Sequence, residues 1–162
     1  MLIRTYQPSD FERIVSITLE GFDGIAIDQL VEKHLGLLDG HDWRYRKAKQ
    51  IEEDCAAEPT GVFVAEIGGS VEGYITTRID RDIGKGRIPN LAVSADSRGR
   101  GTGRQLIEHA LEYFRREDLS FVMIETMANN AVGQHLYPAC GFIELGRQIH
   151  YAIRLCDHTL LP

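Results

Sequence analysis

The chain has 162 residues, 43% hydrophobic and 26% charged, which suits one soluble globular domain with a proper core. It contains no run of 18 apolar residues, excluding a membrane-spanning helix, and its net charge of −6 argues against nucleic acid as a partner. Cys55, Cys140 and Cys156 are odd in number and lack metal-ligand spacing, so we expect reduced thiols in a cytoplasmic protein and assign no metal.

Acidity is concentrated early: residues 1–60 hold 12 acids against 7 bases, the remainder 12 against 11. Met1-Leu2-Ile3-Arg4 lacks the basic-then-apolar order of a signal peptide and opens a strand over Leu2–Tyr6. Ser9-x-x-Glu12 reads as a capping box for a helix whose inner face is Phe11, Ile14, Val15, Thr18, Leu19 and Phe22. Gly21 to Gly40 is expected to be a loop with a short helix near Ile27–Leu37. A longer helix is expected from His41 to Ala57, with Trp43, Ala48, Ile51 and Cys55 inward. Val62–Ile67 and Val71–Ile79 form a hairpin around Gly68-Gly69-Ser70. The next strand is Arg87–Val93, and Phe121–Glu125 is a buried strand further on. A helix over Ala131–Tyr137 is stopped by Pro138, and Phe142–Leu145 and Gln148–Leu155 read as two final strands.

Between Val93 and the helix containing Leu106, Ile107, Ala110, Leu111 and Phe114 lies Ser-Ala-Asp-Ser-Arg-Gly-Arg-Gly-Thr-Gly. Arg98, Arg100 and Arg104 surround Gly99, Gly101 and Gly103 at the start of that helix. Unpaired N–H groups and the positive end of the helix dipole favour an anion there, and a pyrophosphate fits best. No lysine follows Arg87, which excludes a P-loop. A dinucleotide turn needs Gly-x-Gly-x-x-Gly, whereas the spacing here is Gly-x-Gly-x-Gly.

Arg98-x-x-Gly101-x-Gly103 resembles the acetyl-CoA signature of the GNAT N-acetyltransferases. Asn130, Tyr137, Gly141 and Phe142 resemble their second motif, with Gly133 where alanine is usual and Pro138 as a further departure. The resemblance extends over roughly residues 2–155. It implies a single-domain α/β (α+β) fold over 1–162, with a mixed, mostly antiparallel sheet of about seven strands. Helices cover both faces, and a central parallel pair is splayed. It also implies acetyl-CoA as cosubstrate, bound by the backbone of Leu91, Ala92 and Val93, by Arg98, Gly99, Arg100, Gly101, Thr102, Gly103 and Arg104, and by Asn130 and Tyr137.

Acyl transfer to an amine needs the amine neutral. A lysine-like amine with a pKa of about 10.4 must lose about 4.6 kcal/mol to reach that form at pH 7. A base offsets part of this cost, and the departing thiolate benefits from a proton donor. Tyr137 is the candidate acid. Glu125, at the end of an apolar strand, is the candidate base, with Glu72 in reserve. Glu125 and Tyr137 keep the spacing of the base and acid in the ribosomal-protein alanine N-acetyltransferases that they resemble. Glu-Thr at this strand end also resembles streptothricin-type acetyltransferases, so the acceptor stays open. Asp23, Asp28, Asp39 and Asp42 lie in a segment expected to wall the acceptor site and favour a cationic acceptor, or else form a solvated acidic face. We therefore expect an N-acetyltransferase acting by direct attack in a ternary complex, for which a homodimer is compatible. The alternative is a non-catalytic acyl-CoA-binding module.

Overall fold

In the computed structural model, which describes residues 1–155, five strands form one sheet in the order β1-β2-β3-β4-β5. They are β1 (Leu2–Thr5), β2 (Phe63–Ile67), β3 (Ser70–Asp80), β4 (Lys85–Val93) and β5 (Phe121–Ile124). The first three pairings are antiparallel and the last, β4 with β5, is parallel. Strand alternation divides the core in two. Val64, Tyr74 and Ala92 pack with Ile14 and Ile17 of α1 (Phe11–Gly21) and Ile51 and Cys55 of α3 (Trp43–Ala57). Phe63, Ala65 and Ile75 pack on the other face with Leu106, Ile107, Ala110 and Phe114 of α4 (Thr102–Arg116). α2 (Ile27–Leu35) leans on α3, and α5 (Ala131–Ala139) lies on the α4 face through Leu136 and Tyr137. No helix among the described residues is long and apolar enough to cross a membrane.

The start of α1 is fastened differently from the expected Ser9–Glu12 box. Gln7 and Asp10 make the reciprocal cap, with the Gln7 N–H donating to Asp10 Oδ2 at 2.8 Å. Arg4 on β1 adds two bonds to the same carboxylate, at 2.8 and 3.0 Å. The Arg4 guanidinium, helped by the Gln7 N–H, holds the Asp10 carboxyl below the usual carboxylate range, although burial pushes the other way. Asp10→Asn is expected to cost about 3 kcal/mol at pH 7, because the partners lose a buried charge. The native pKa lies below the unfolded one, so this advantage is present above about pH 4 and disappears as pH falls through the native value. Urea titrations of parent and variant at pH 7 and pH 3 check both statements.

Three further expectations are corrected. The sheet has five strands among the described residues, two fewer than expected, because 142–155 makes no ladder with β5. Ile143, Leu145, Ile149, Tyr151 and Leu155 are all exposed, and Arg154 instead donates to the Leu37 carbonyl at 2.7 Å. Alternation marks a segment that fits a sheet surface, but pairing requires an edge in register, and alternation does not specify one. Pro138 lies inside α5 rather than ending it. It removes only the bond to the Gln134 carbonyl, and the Cys140 N–H still closes the last turn on Leu136 O at 3.1 Å. On α3, Lys47 takes the buried position and Ala48 is only half-buried.

Candidate active site

The site begins where β4 and β5 part. Their last paired residues are Ile88 and Ile124, while β4 runs on to Val93 against β3 alone. Two observations account for the parting. The pairs Thr76↔Asn90 and Arg78↔Arg87 are two steps apart on β3 and three on β4, which puts a bulge around Ile88–Pro89. Pro89 also has no N–H with which to continue a ladder. Beyond the bulge, the Asn90 N–H donates to Thr76 Oγ1 at 3.1 Å and the Ser94 N–H to Glu72 O at 2.8 Å, both toward β3. By strand alternation the backbone groups of Leu91 and Val93 then face the gap, and those of Ala92 face β3. Ala92 therefore contributes to the gap only as packing.

The glycine–arginine turn sits at the mouth of this gap. Gly101 caps α4 with φ 81° and ψ 1°, a left-handed conformation that a side chain would strain. No side chain caps α4, so the N–H groups of Thr102, Gly103 and Arg104 in its first turn have no partner within the helix. The Thr102 hydroxyl turns back to Ser97 O at 3.4 Å. A Cβ on Gly103 would sit 3.3 Å from Leu136, so α4 and α5 meet closely here. Arg98 braces the loop: its Nε donates to the gap-facing Val93 carbonyl at 3.0 Å, and its Nη2 lies 3.7 Å from Glu20. Arg100 and Arg104 are exposed and make no ion pair among the described residues.

Tyr137 approaches from α5. Burial pushes its hydroxyl up to about 12, and it makes no hydrogen bond among the described residues. Asn130 caps α5: its Oδ1 accepts the Gly133 N–H at 3.1 Å and its Nδ2 donates to Thr126 Oγ1 at 2.8 Å. Glu125 is the first residue past the last β4–β5 pair. Arg87 Nη2 donates to its Oε2 at 2.5 Å, and both side chains are about half exposed, at 48% and 51%. Glu72 is occupied, by Arg13 at 3.0 Å and by the Ser94 hydroxyl.

The segment before α3 reaches the loop between β5 and α5. Asn129 donates to Gly24 O at 2.8 Å, and beside that bond lies a cavity of about 240 Å³ lined by Ile25, Ala26, Leu30, Lys33 and Met127. Its acids are mostly committed elsewhere. Asp23 accepts from Gln29, Asp28 faces Arg46, and Asp42 caps α3.

One polar cluster escaped sequence reasoning. Lys47 Nζ is buried, donates to Asn90 Oδ1 at 2.8 Å and lies 4.2 Å over the Phe22 ring. Asn90 passes the connection on to Asp54 and Thr76, at 2.5 and 3.3 Å. Burial lowers the Lys47 pKa, with Asp28 and Asp54 pulling it back up. The network ties α3 to β4 beside the bulge. Its signal was a lysine inside the i, i+4 stripe Trp43, Lys47, Ile51, Cys55.

The sheet is thus parted at its parallel pair, over an uncapped and basic helix N-terminus. The model of the acetyltransferase (GNAT) family matches residues 27–142, and the chain belongs to that family. It is 32% identical to a mycothiol acetyltransferase of Tsukamurella paurometabola, over 93% of this chain and 51% of that protein. The chain thus spans about half the length of the curated relatives it first matches. Among solved structures, the ribosomal-protein-S18-alanine N-acetyltransferase of Escherichia coli aligns with TM-score 0.67 and 19% identity, over 90% of this chain and 79% of that one. A PaiA N-acetyltransferase of Thermoplasma acidophilum in complex with coenzyme A aligns with TM-score 0.67 and 15% identity, over 85% and 86%. At these identities the solved structures speak for the fold.

Proposed function

We propose that the chain is an N-acetyltransferase that moves the acetyl group of acetyl-CoA to a primary amine by direct attack in a ternary complex. The observation that carries this reading is the parting of β4 from β5 beyond Ile88↔Ile124, with the uncapped α4 terminus at its mouth. A pantetheine arm has amides that the free backbone of Leu91 and Val93 can pair like an added strand. Its pyrophosphate meets the N–H groups of the Gly99–Gly103 turn and of Thr102 to Arg104, with Arg98, Arg100 and Arg104 as counter-cations. Val93 O is already held by Arg98, so the cofactor exchanges that bond for its own. Asn130 borders the arm from the start of α5.

In this reading the thioester lies in the gap, between Glu125 at the end of β5 and Tyr137 on α5. The amine, protonated and cationic in solution, enters along the Gly24–Lys33 wall and gives up a proton toward Glu125. It then attacks the carbonyl carbon: an amide bond forms, the C–S bond breaks, the Tyr137 hydroxyl protonates the leaving thiolate, and the second proton shed by the amide nitrogen returns through solvent to the Tyr137 oxygen. A hydroxyl held at about 12 stays protonated at neutral pH, as a donor must.

The reading is tested by acetyl-CoA consumption over a panel of peptide N-termini, lysine, polyamines and aminoglycosides. Binding of acetyl-CoA with no turnover on any of them would favour a non-catalytic acyl-CoA-binding module instead. Cofactor binding has its own test, since a ligand specific to the native state raises thermal stability. Gly101→Val forces a β-branched residue into φ 81° and obstructs the phosphate approach. Combined with Arg98→Ala it is expected to weaken acetyl-CoA at least about tenfold and to remove the thermal shift. Full affinity in the double variant would overturn the phosphate assignment.

A further inference from the structure

Gly133 is out of place by every local rule. It is the third residue of α5, in the first turn, where alanine would form helix better than glycine. It is not among the residues with positive φ, so the backbone does not call for it. It is buried, and its missing side chain is what the neighbourhood uses. A Cβ there would fall 2.8 Å from Asn130 Nδ2, 2.9 Å from Thr126 Oγ1 and 3.2 Å from Tyr137 Cε2. The first two atoms are the ends of short side chains hydrogen-bonded to each other at 2.8 Å. The third belongs to the ring of the candidate acid. Asn130 in turn holds the Gly133 N–H at 3.1 Å, so cap, glycine and threonine form one closed unit, with the edge of the Tyr137 ring beside the glycine.

We propose that Thr126, Asn130 and Gly133 form a seat that fixes the Tyr137 ring, with Gly133 and Thr126 as positioning residues of the reaction. This rests on the reading of Tyr137 as the proton donor. The physical reasoning is steric and then geometric. A methyl at 133 cannot fit without parting Asn130 from Thr126 or pushing the ring outward, because all three contacts lie on the one Cβ. The Tyr137 hydroxyl has no hydrogen bond of its own among the described residues, so only packing aims it. Thr126 supplies the acceptor that keeps the Asn130 amide turned. Thr126→Val retains the shape and removes that acceptor, whereas Thr126→Ser retains it.

The test reads the ring directly and catalysis separately. Tyrosine ionisation is followed by ultraviolet difference titration, with the Tyr137 component assigned by subtraction of the Tyr137→Phe variant. Gly133→Ala and Thr126→Val are expected to lower the midpoint of that component from about 12 toward the ordinary tyrosine value of about 10, as the ring gains access to water. Gly133→Ala should also fail to raise the melting temperature, although glycine to alanine inside a helix ordinarily does so. Thr126→Ser should titrate as the parent does. On the amine that the panel selects, Gly133→Ala should lower kcat about tenfold at saturating acetyl-CoA, and should add nothing in the Tyr137→Phe background. An unmoved titration midpoint in both variants overturns the seat, and so does a kcat loss equal in the two backgrounds. If Tyr137→Phe itself turns over like the parent, the proton-donor role fails, while the titration still decides whether the seat exists. Should Gly133→Ala not fold, Thr126→Val carries the same measurements alone.

Discussion

Tyr137→Phe is expected to leave acetyl-CoA affinity unchanged while turnover falls by about 10²–10⁴-fold. The substitution removes one oxygen and keeps the ring that packs with Leu136 and Phe142 against the α4 face, so neither fold nor cofactor cleft should respond. The loss belongs to the departing thiolate, which leaves as an anion with a pKa of about 8.5 when no donor meets it. Because burial holds the Tyr137 hydroxyl at about 12, its protonated form persists across the practical pH range. The sign is then fixed: ionisation of this donor lowers kcat as pH rises, with a midpoint above the ordinary tyrosine value of about 10. Steady-state kinetics of parent and variant between pH 6 and 10, with calorimetric titration of CoA, check all three statements. A variant with equal loss of affinity and turnover would make Tyr137 a wall of the cofactor cleft.

The features legible in the sequence were those whose cause is local. The Gly101 cap, the basic turn and the α4 stripe from Leu106 to Phe114 are properties of contiguous residues, and they stand where spacing placed them. So does the parallel β4–β5 pair, because an apolar strand, a helix and a second apolar strand leave few ways to connect. What depends on distant partners was not legible. Arg87 meets Glu125 across 38 positions, and no local pattern foretells that pair. Lys47 could be recognised as anomalous within an apolar stripe, but its partner Asn90 lies 43 positions away.

The misreadings share that physical root. Ser9 and Glu12 satisfy the capping-box spacing, yet Arg4 on β1 recruits Asp10 and the cap falls two residues earlier. The 142–155 segment alternates like a strand, and no ladder on β5 receives it. Propensity and spacing describe what a segment can do, and the competing partner decides what it does.

Glu125→Gln is expected to depress turnover by about 10²-fold near neutral pH, with the defect shrinking as pH rises toward the acceptor's own pKa. At pH 7 an amine with a pKa of about 10.4 is almost wholly protonated, and in the proposed reading the carboxylate relieves it of that proton. As pH approaches about 10 the free amine becomes abundant and the base is no longer needed, so parent and variant converge. Glutamine suits the test because its side-chain oxygen can still accept from Arg87, which now donates to Glu125 Oε2 at 2.5 Å. The strand end therefore keeps its shape while losing a charge. A defect that is flat with pH would show a different role, with Glu125 holding the ammonium by charge before another group deprotonates it. Glu72 is poorly placed for that second duty, because Arg13 and Ser94 already occupy its Oε2. Unchanged turnover in both Glu125→Gln and Tyr137→Phe would leave the β4–β5 gap to act through alignment alone. Holding a neutral amine against the thioester can by itself supply several kcal/mol, on the order of 7–11 for well-oriented pairs.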